Sequence, residues 1–286
     1  MSEIVTFGAD GDILEREINT YPGGEPIITW GRDEVDGGYE EEIIAMLVRP
    51  KSMTSFMAAM FWVDAYVERG MDPPFFVLPC VPGARQDRLN PKGDYLFTIK
   101  SIARMINDRN FPQVHVLDPH SEVTPALINR CVTRMPSQSL DLVATLTQSK
   151  RYGYVVAPDA GAGKRAQLMA DVLGIPVLTA SKKRDVETGA LSGFSLQKHD
   201  YPDSSESRVL VVDDLCDGGW TFNGLAEELT KHGFSKPDLW VTHGIFSKGT
   251  AELKKNYDQI LTSDSVLNGQ TDVTVFDLSL QILQGL

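Results

Sequence analysis

The chain has 286 residues, 42% of them hydrophobic and 23% charged, a composition ordinary for folded proteins and a length that suits two domains. Its 27 Lys and Arg against 39 Asp and Glu leave a formal charge of −12, which argues against non-specific nucleic-acid binding or an anionic membrane surface, so neither is an expected partner. Three widely spaced cysteines, Cys80, Cys131 and Cys216, make neither a metal signature nor a disulfide framework, and fit a reducing cytoplasm. Met1-Ser2-Glu3 shows no basic leader region, and no apolar run approaches the ~18 residues of a membrane span.

Tyr21-Pro22-Gly23-Gly24-Glu25 reads as a turn whose carboxylate can accept from a nucleobase or ribose, or equally as a plain surface turn. Helical spacing over 55–69 precedes an apolar strand at 75–78. Arg85-Gln86-Asp87-Arg88 follows that strand and offers a guanidinium fork for phosphate beside an amide for a base, although the same residues suit an exposed ion-paired loop. A helix over 98–108 and a strand at 114–117 lead into Asp118-Pro119-His120, a strand-end turn able to bind magnesium directly or through water. The polar, non-periodic stretch Pro136-Ser137-Gln138-Ser139 suggests a boundary, giving domains 1–142 and 143–286.

The second half repeats the alternation, with strands at 154–157, 177–179, 209–212 and 239–242 and helices over 164–173 and 221–232. Alternating strands and helices predict an α/β fold with mostly parallel sheets, in which ligands sit beyond the carboxyl ends of the strands. Asp159 in P-D-A-G-A-G can hold metal, ribose hydroxyls or only a helix cap. Gly161-Ala162-Gly163-Lys164 is not a Walker loop, because Pro158 stands where the first glycine belongs and Arg165 where Ser or Thr is required. Residues 181–201 form the main irregular insertion, with Lys182-Lys183-Arg184 followed by Gly189 and Gly193. They read as a mobile basic lid over an anionic substrate, or else as a solvated surface hairpin.

The densest chemistry lies at 209–221, V-L-V-V-D-D-L-C-D-G-G-W-T. Four consecutive apolar residues predict a strand buried on both faces, running into Asp213, Asp214 and Asp217, then Gly218-Gly219 and a helix. Backbone N–H groups at such a turn and helix start receive an anion, while the carboxylates suit hydroxyls or magnesium. A phosphorylated polyol such as a ribose phosphate satisfies both.

In their order, Y-P-G-G-E, A-R-Q-D-R, D-P-H-S, A-P-D-A-G-A-G-K-R-A, S-K-K-R, V-V-D-D-L-C-D-G-G-W-T, T-H-G-I-F-S and T-S-D-S resemble the motifs of the ribose-phosphate diphosphokinase (phosphoribosyl pyrophosphate synthetase) family. The resemblance implies two tandem phosphoribosyltransferase-like domains, with the active site between them. It implies transfer of the β,γ-diphosphoryl group of Mg-ATP to the anomeric hydroxyl of ribose 5-phosphate. Gly23, Gly24, Glu25, Arg85 and Gln86 then hold ATP, and Asp118, His120 and Asp159 bind Mg2+. Lys182 and Arg184 are catalytic, and Asp213, Asp214, Asp217, Gly218, Gly219, Trp220 and Thr221 receive the ribose phosphate. It further implies a homo-oligomer, dimer or hexamer, for which the apolar 56–66 helix is an interface or part of the core.

One departure bears on the acceptor. The family's loop usually reads D-T-G-G-T, whereas here Gly218 lacks the hydroxyl and Trp220 replaces a glycine. An indole there suits a larger ribose 5-phosphate ester such as ADP-ribose, with the product feeding NAD synthesis, unless Trp220 packs beneath the loop. A non-catalytic regulatory subunit and a nucleobase phosphoribosyltransferase are the remaining alternatives. The first is disfavoured by the retained acidic and basic residues, the second by A-R-Q-D-R and the basic segment.

Overall fold

The computed structural model describes residues 2–9, 11–27, 42–89, 96–149, 152–184, 191–196, 208–266 and 269–286, with the backbone alone at 149, 182–184 and 191–192. Positions 185–190 and 197–201 of the expected lid lie outside the described residues. The chain divides into two compact units, Met1–Arg134 with Ser265–Leu267 and Asp277–Leu286, and Met135–Asp264 with Asn268–Phe276.

In the first unit, β1 (Ile4–Gly8) pairs antiparallel with β2 (Ile13–Arg16), and the short strands β3 (Asn19–Thr20) and β4 (Pro26–Ile27) form a ribbon. β5 (Ile43–Val48) is followed by helix α1 (Met53–Glu68), whose N-cap Ser52 accepts from the Ser55 N–H at 3.2 Å. β6 (Phe75–Val77), α2 (Thr98–Asn107), β7 (Val114–Leu117), α3 (Val123–Leu127) and β8 (Cys131–Arg134) complete the sheet in the order β2-β1-β5-β6-β7-β8, parallel from β5 to β8. Phe56, Met60, Trp62 and Val63 of α1 pack with Met46, Phe76 and Ile106 in this unit's core, so most of the apolar 56–66 surface is core.

The second unit opens with a 3₁₀ turn at Pro136–Gln138 and α4 (Leu140–Ser149). The sequence boundary at 142/143 thus falls inside a helix, and the compact units divide at Arg134/Met135 instead. Leu142 and Leu146, four residues apart, are buried and anchor α4 to this unit. The polar Ser137-Gln138-Ser139 stretch is the lead-in to that helix.

β9 (Tyr152–Ala157), α5 (Gly163–Leu173), β10 (Val177–Arg184), β11 (Leu191–Leu196), β12 (Arg208–Cys216), α6 (Trp220–Lys231), β13 (Asp238–Gly244), α7 (Ala251–Asn256), β14 (Ile260–Ser263) and β15 (Thr274–Phe276) follow. The sheet order is β11-β10-β9-β12-β13-β14-β15, parallel except for β10–β11. Val209, Leu210, Val211 and Val212 are all buried, as a run apolar on both faces requires. The chain ends in α8 (Leu278–Gln284), which returns to the first unit against β5 and β6.

The segment expected to be irregular from 181 onward is partly strand. β10 continues through Lys182 to Arg184, pairing Ser181 with Ser195 and Lys182 with Phe194. Buried Phe194 and Leu196 on β11 give this hairpin a fixed inner face, so its described arms are not simply solvated.

His115 on β7 is buried, and burial together with the Arg134 charge lowers its pKa to about 4. Nε2 contacts Gln113 Oε1 at 3.0 Å. An unfolded histidine takes up its proton near ~6.5, so the stability from neutral His115 is complete above that pH. It is lost progressively as pH falls toward 4. Thermal melts between pH 7.5 and 4.5 should show this decline, and His115→Gln should flatten it; an unchanged slope in the variant excludes His115 as the source.

Candidate active site

In the second unit the acidic residues lie where β12 approaches its carboxyl end, between the parallel strands β9 and β13. Asp213 Oδ1 accepts from the Asp214 backbone N–H at 2.8 Å. Arg165, in the first turn of α5, donates from one nitrogen, Nη1, to both carboxylates: 3.2 Å to Asp213 Oδ1 and 3.0 Å to Asp214 Oδ1. Burial raises the Asp213 carboxyl well above its ordinary range, and the adjacent Asp214 raises it further; the guanidinium opposes both.

The following turn is stiffened from beneath. Ile245 and Phe246 donate their backbone N–H groups to the Cys216 carbonyl at 2.9 and 3.1 Å, and Ser247 Oγ donates to Asp217 Oδ1 at 2.5 Å. Phe246 holds a left-handed φ of 47°, a strained conformation for an aromatic residue, and its ring is buried. Gly219 caps α6 at φ 80°, where a Cβ would also lie 3.2 Å from Leu253. The Cys216 thiol is buried and pushed up to about 12, which leaves it inert as a nucleophile.

Trp220, the first residue of α6, is 81% exposed, and its side chain makes no hydrogen bond or ring contact among the described residues. It does not pack beneath the loop. Thr221 is half-buried behind it.

Asp159 caps the 3₁₀ turn Ala160–Ala162, its Oδ1 accepting from Gly161 N at 2.9 Å and Ala162 N at 3.2 Å. This is the capping arrangement that the sequence allowed as one option. Lys182 and Arg184 have their backbones in β10, and their side chains lie outside the description.

In the first unit, two strand-end loops meet. Asp87, of the loop after β6, is buried, and burial alone pushes its carboxyl up. Hydrogen bonds from Arg88 and Ser121, with the charges of Arg88 and His120, more than offset this and hold it below its usual range. The A-R-Q-D-R loop is therefore fastened to the D-P-H-S loop. Arg85, Gln86 and His120 are exposed there, with Gln86 held by a hydrogen bond from Thr98 Oγ1. Asp118 is buried in a left-handed conformation (φ 40°), its N–H donating to the Arg134 carbonyl at 2.8 Å. Gly23, Gly24 and Glu25 are exposed in the β3–β4 turn, closed by Gly24 N to Tyr21 O at 2.8 Å with Gly24 at φ 91°.

Among the described residues, no group of three or more His, Cys, Asp or Glu side chains is arranged to hold a metal ion. Arg165 belongs to none of the sequence-predicted site residues, and Ser247 stands only within the T-H-G-I-F-S motif. Neither has a local signal, since Arg165 lies 48 residues from Asp213 and Ser247 lies 30 from Asp217. The T-S-D-S segment is buried from Thr262 to Ser265, with Ser263 Oγ donating to the Thr242 carbonyl at 2.6 Å, so it supports the sheet end from inside.

An acidic pair closing a parallel strand, a glycine turn and a helix start define a phosphoribosyltransferase-type unit, and residues 138–281, half of the chain, match the phosphoribosyl transferase domain. The full chain is similar to ribose-phosphate pyrophosphokinases from Pyrococcus furiosus (25% identical, covering 96% of each chain) and Thermococcus kodakarensis (26%, covering 90% of this chain and 88% of the relative). Its fold is similar to that of phosphoribosylpyrophosphate synthetase from Mycobacterium smegmatis, with a TM-score of 0.76 at 17% identity over 96% of this chain and 90% of that one. The chain belongs to the ribose-phosphate pyrophosphokinase family and is a transferase.

Proposed function

We propose that this protein transfers the β,γ-diphosphoryl group of ATP to the anomeric hydroxyl of a ribose 5-phosphate acceptor, releasing AMP. The observation that carries this reading is the Asp213–Asp214 pair leading into a left-handed glycine and the start of a twelve-residue helix. The carboxylates accept from ribose hydroxyls, and the N–H groups of the 218–221 turn receive the 5-phosphate. The anomeric oxygen attacks the β-phosphorus, the bond to the α-phosphate oxygen breaks, and the hydroxyl proton is lost. Lys182 and Arg184 stabilise charge on the transferred and leaving oxygens. Arg85, Gln86, Gly23, Gly24 and Glu25 bind the nucleotide.

The donor chemistry fits magnesium. That ion keeps several waters and takes one or two protein ligands plus substrate phosphates, so a preformed cage of three ligands is not required. His120, with Asp118 close in sequence, and Asp159 are the assigned protein ligands; when bound, the ion neutralises phosphate charge.

A second reading rests on Trp220. An indole 81% exposed on the acceptor loop offers a stacking face, which favours an acceptor whose 5-phosphate carries a nucleotide, such as ADP-ribose. Incubation with Mg-ATP and either ribose 5-phosphate or ADP-ribose, with product masses read directly, decides between them. Diphosphate gain by ribose 5-phosphate alone removes the stacking role, whereas no AMP with any acceptor overturns the enzymatic reading. Loss of base stacking costs about 1–3 kcal/mol, so Trp220→Gly should lower kcat/KM for ADP-ribose about tenfold or more and leave ribose 5-phosphate nearly unaffected.

A further inference from the structure

We propose that Arg165 is a positioning residue for the acceptor, holding the Asp213 and Asp214 carboxylates in the orientation that receives the ribose hydroxyls. This rests on the acceptor-site reading above and extends it to a residue outside the acidic loop.

The geometry is specific. A single guanidinium nitrogen bridges Oδ1 of both aspartates, and Asp213 Oδ1 also accepts the Asp214 backbone N–H. Each carboxylate is thereby pinned through a named oxygen. The Arg165 side chain retains only 10% of its exposure, and those of Asp213 and Asp214 retain 16% and 7%. Two carboxylates this close repel each other and lose hydration, so without a cation one of them keeps a proton. The groups bearing on Asp213 pull in opposite directions: burial and the Asp214 carboxylate favour its protonated form, whereas the Arg165 charge and the Asp214 backbone N–H favour the ionised form. Asp217 and Cys216 follow on the same strand-end segment, and β13 places buried His243 beside Leu215.

α5 is built to deliver this cation. Asp159 caps the turn Ala160–Ala162 that leads directly into α5, so Arg165 falls in the first helical turn, where the helix packs on β12. A cation in the first turn runs against the helix dipole, which favours anions there. Its cost is offset by the two buried carboxylates, a local departure from helix preference of the kind found at functional sites.

The test uses Arg165→Gln and Arg165→Lys in the full chain. In Arg165→Gln the acceptor KM should rise about tenfold while kcat at saturating acceptor changes little. The acid limb of the KM profile should move about one pH unit upward, which is that same tenfold loss of the ionised pair at fixed pH. Arg165→Lys should recover most of both. In parallel, carbon NMR titration of the aspartate carboxyls in the substrate-free protein should show an upward shift in Arg165→Gln. Retained circular dichroism controls for folding, and the Lys variant serves if the Gln variant is unfolded. An unmoved carboxyl titration, or equal losses in kcat and kcat/KM without a pH shift, overturns the role of Arg165. If the carboxyls shift but the native protein makes no AMP with any acceptor, the pinning of the pair stands and the acceptor-site reading fails.

Discussion

Asp214→Asn is expected to reduce AMP release with the preferred acceptor about 10³-fold, the scale of losing one preorganised polar contact to a reacting group. Its melting temperature should stay level or rise. Burial and the neighbouring Asp214 both disfavour the ionised form of Asp213, so neutralising Asp214 relieves a repulsion that folding has imposed. Arg165 keeps Asp213 as a partner at 3.2 Å, which limits the cost to that cation. A coupled AMP assay and a calorimetric melt of the same preparation separate the two effects. Near-native turnover would remove Asp214 from the acceptor site, while a melt lowered by several degrees would make the pair structural.

The second unit was readable from sequence because its signals are local. The run 209–212 is apolar at every position, as a strand covered on both faces must be, and all four residues are buried. Gly174 closes α5 in a left-handed conformation at φ 68°, and Gly219 opens α6 at φ 80°, so both helix limits sit at glycines. The pieces that escaped depend on distant partners. The Lys182-Lys183-Arg184 run looks like loop in isolation, and it is strand because Phe194 and its neighbours on β11 complete the pairing. The 142/143 boundary falls inside α4 because Leu142 and Leu146, four residues apart, give only about one turn of periodic signal. Nothing in the 278–284 helix announces that it returns to the first unit. At the site, the sequence named the acidic pair but not its cation, which sits on another helix. It left Trp220 either stacked or packed, and the 81% exposure of the indole removes the packed option only.

Lys182→Ala is expected to lower kcat about 10³-fold or more, the range over which a cation aimed at transferring phosphoryl oxygens acts. ATP and acceptor binding measured directly should change far less, because the charge it stabilises develops in the transition state. The structure supplies a way to separate chemistry from hairpin placement. Lys182 pairs in register with Phe194, whose buried ring lies so near Gly224 of α6 that an added Cβ there would sit 3.0 Å from it. α6 begins at Trp220, so the Phe194–Gly224 contact ties the strand carrying Lys182 to the helix that opens at the acceptor turn. Phe194→Ala keeps the lysine and removes this tie, opening a cavity that costs about 3–5 kcal/mol of stability. It should therefore lower the melting temperature and raise the acceptor KM, whereas Lys182→Ala should do neither. If Lys182→Ala instead reproduces the Phe194→Ala pattern of instability and weakened binding, the lysine supports the hairpin, and the charge-stabilising role belongs to another residue.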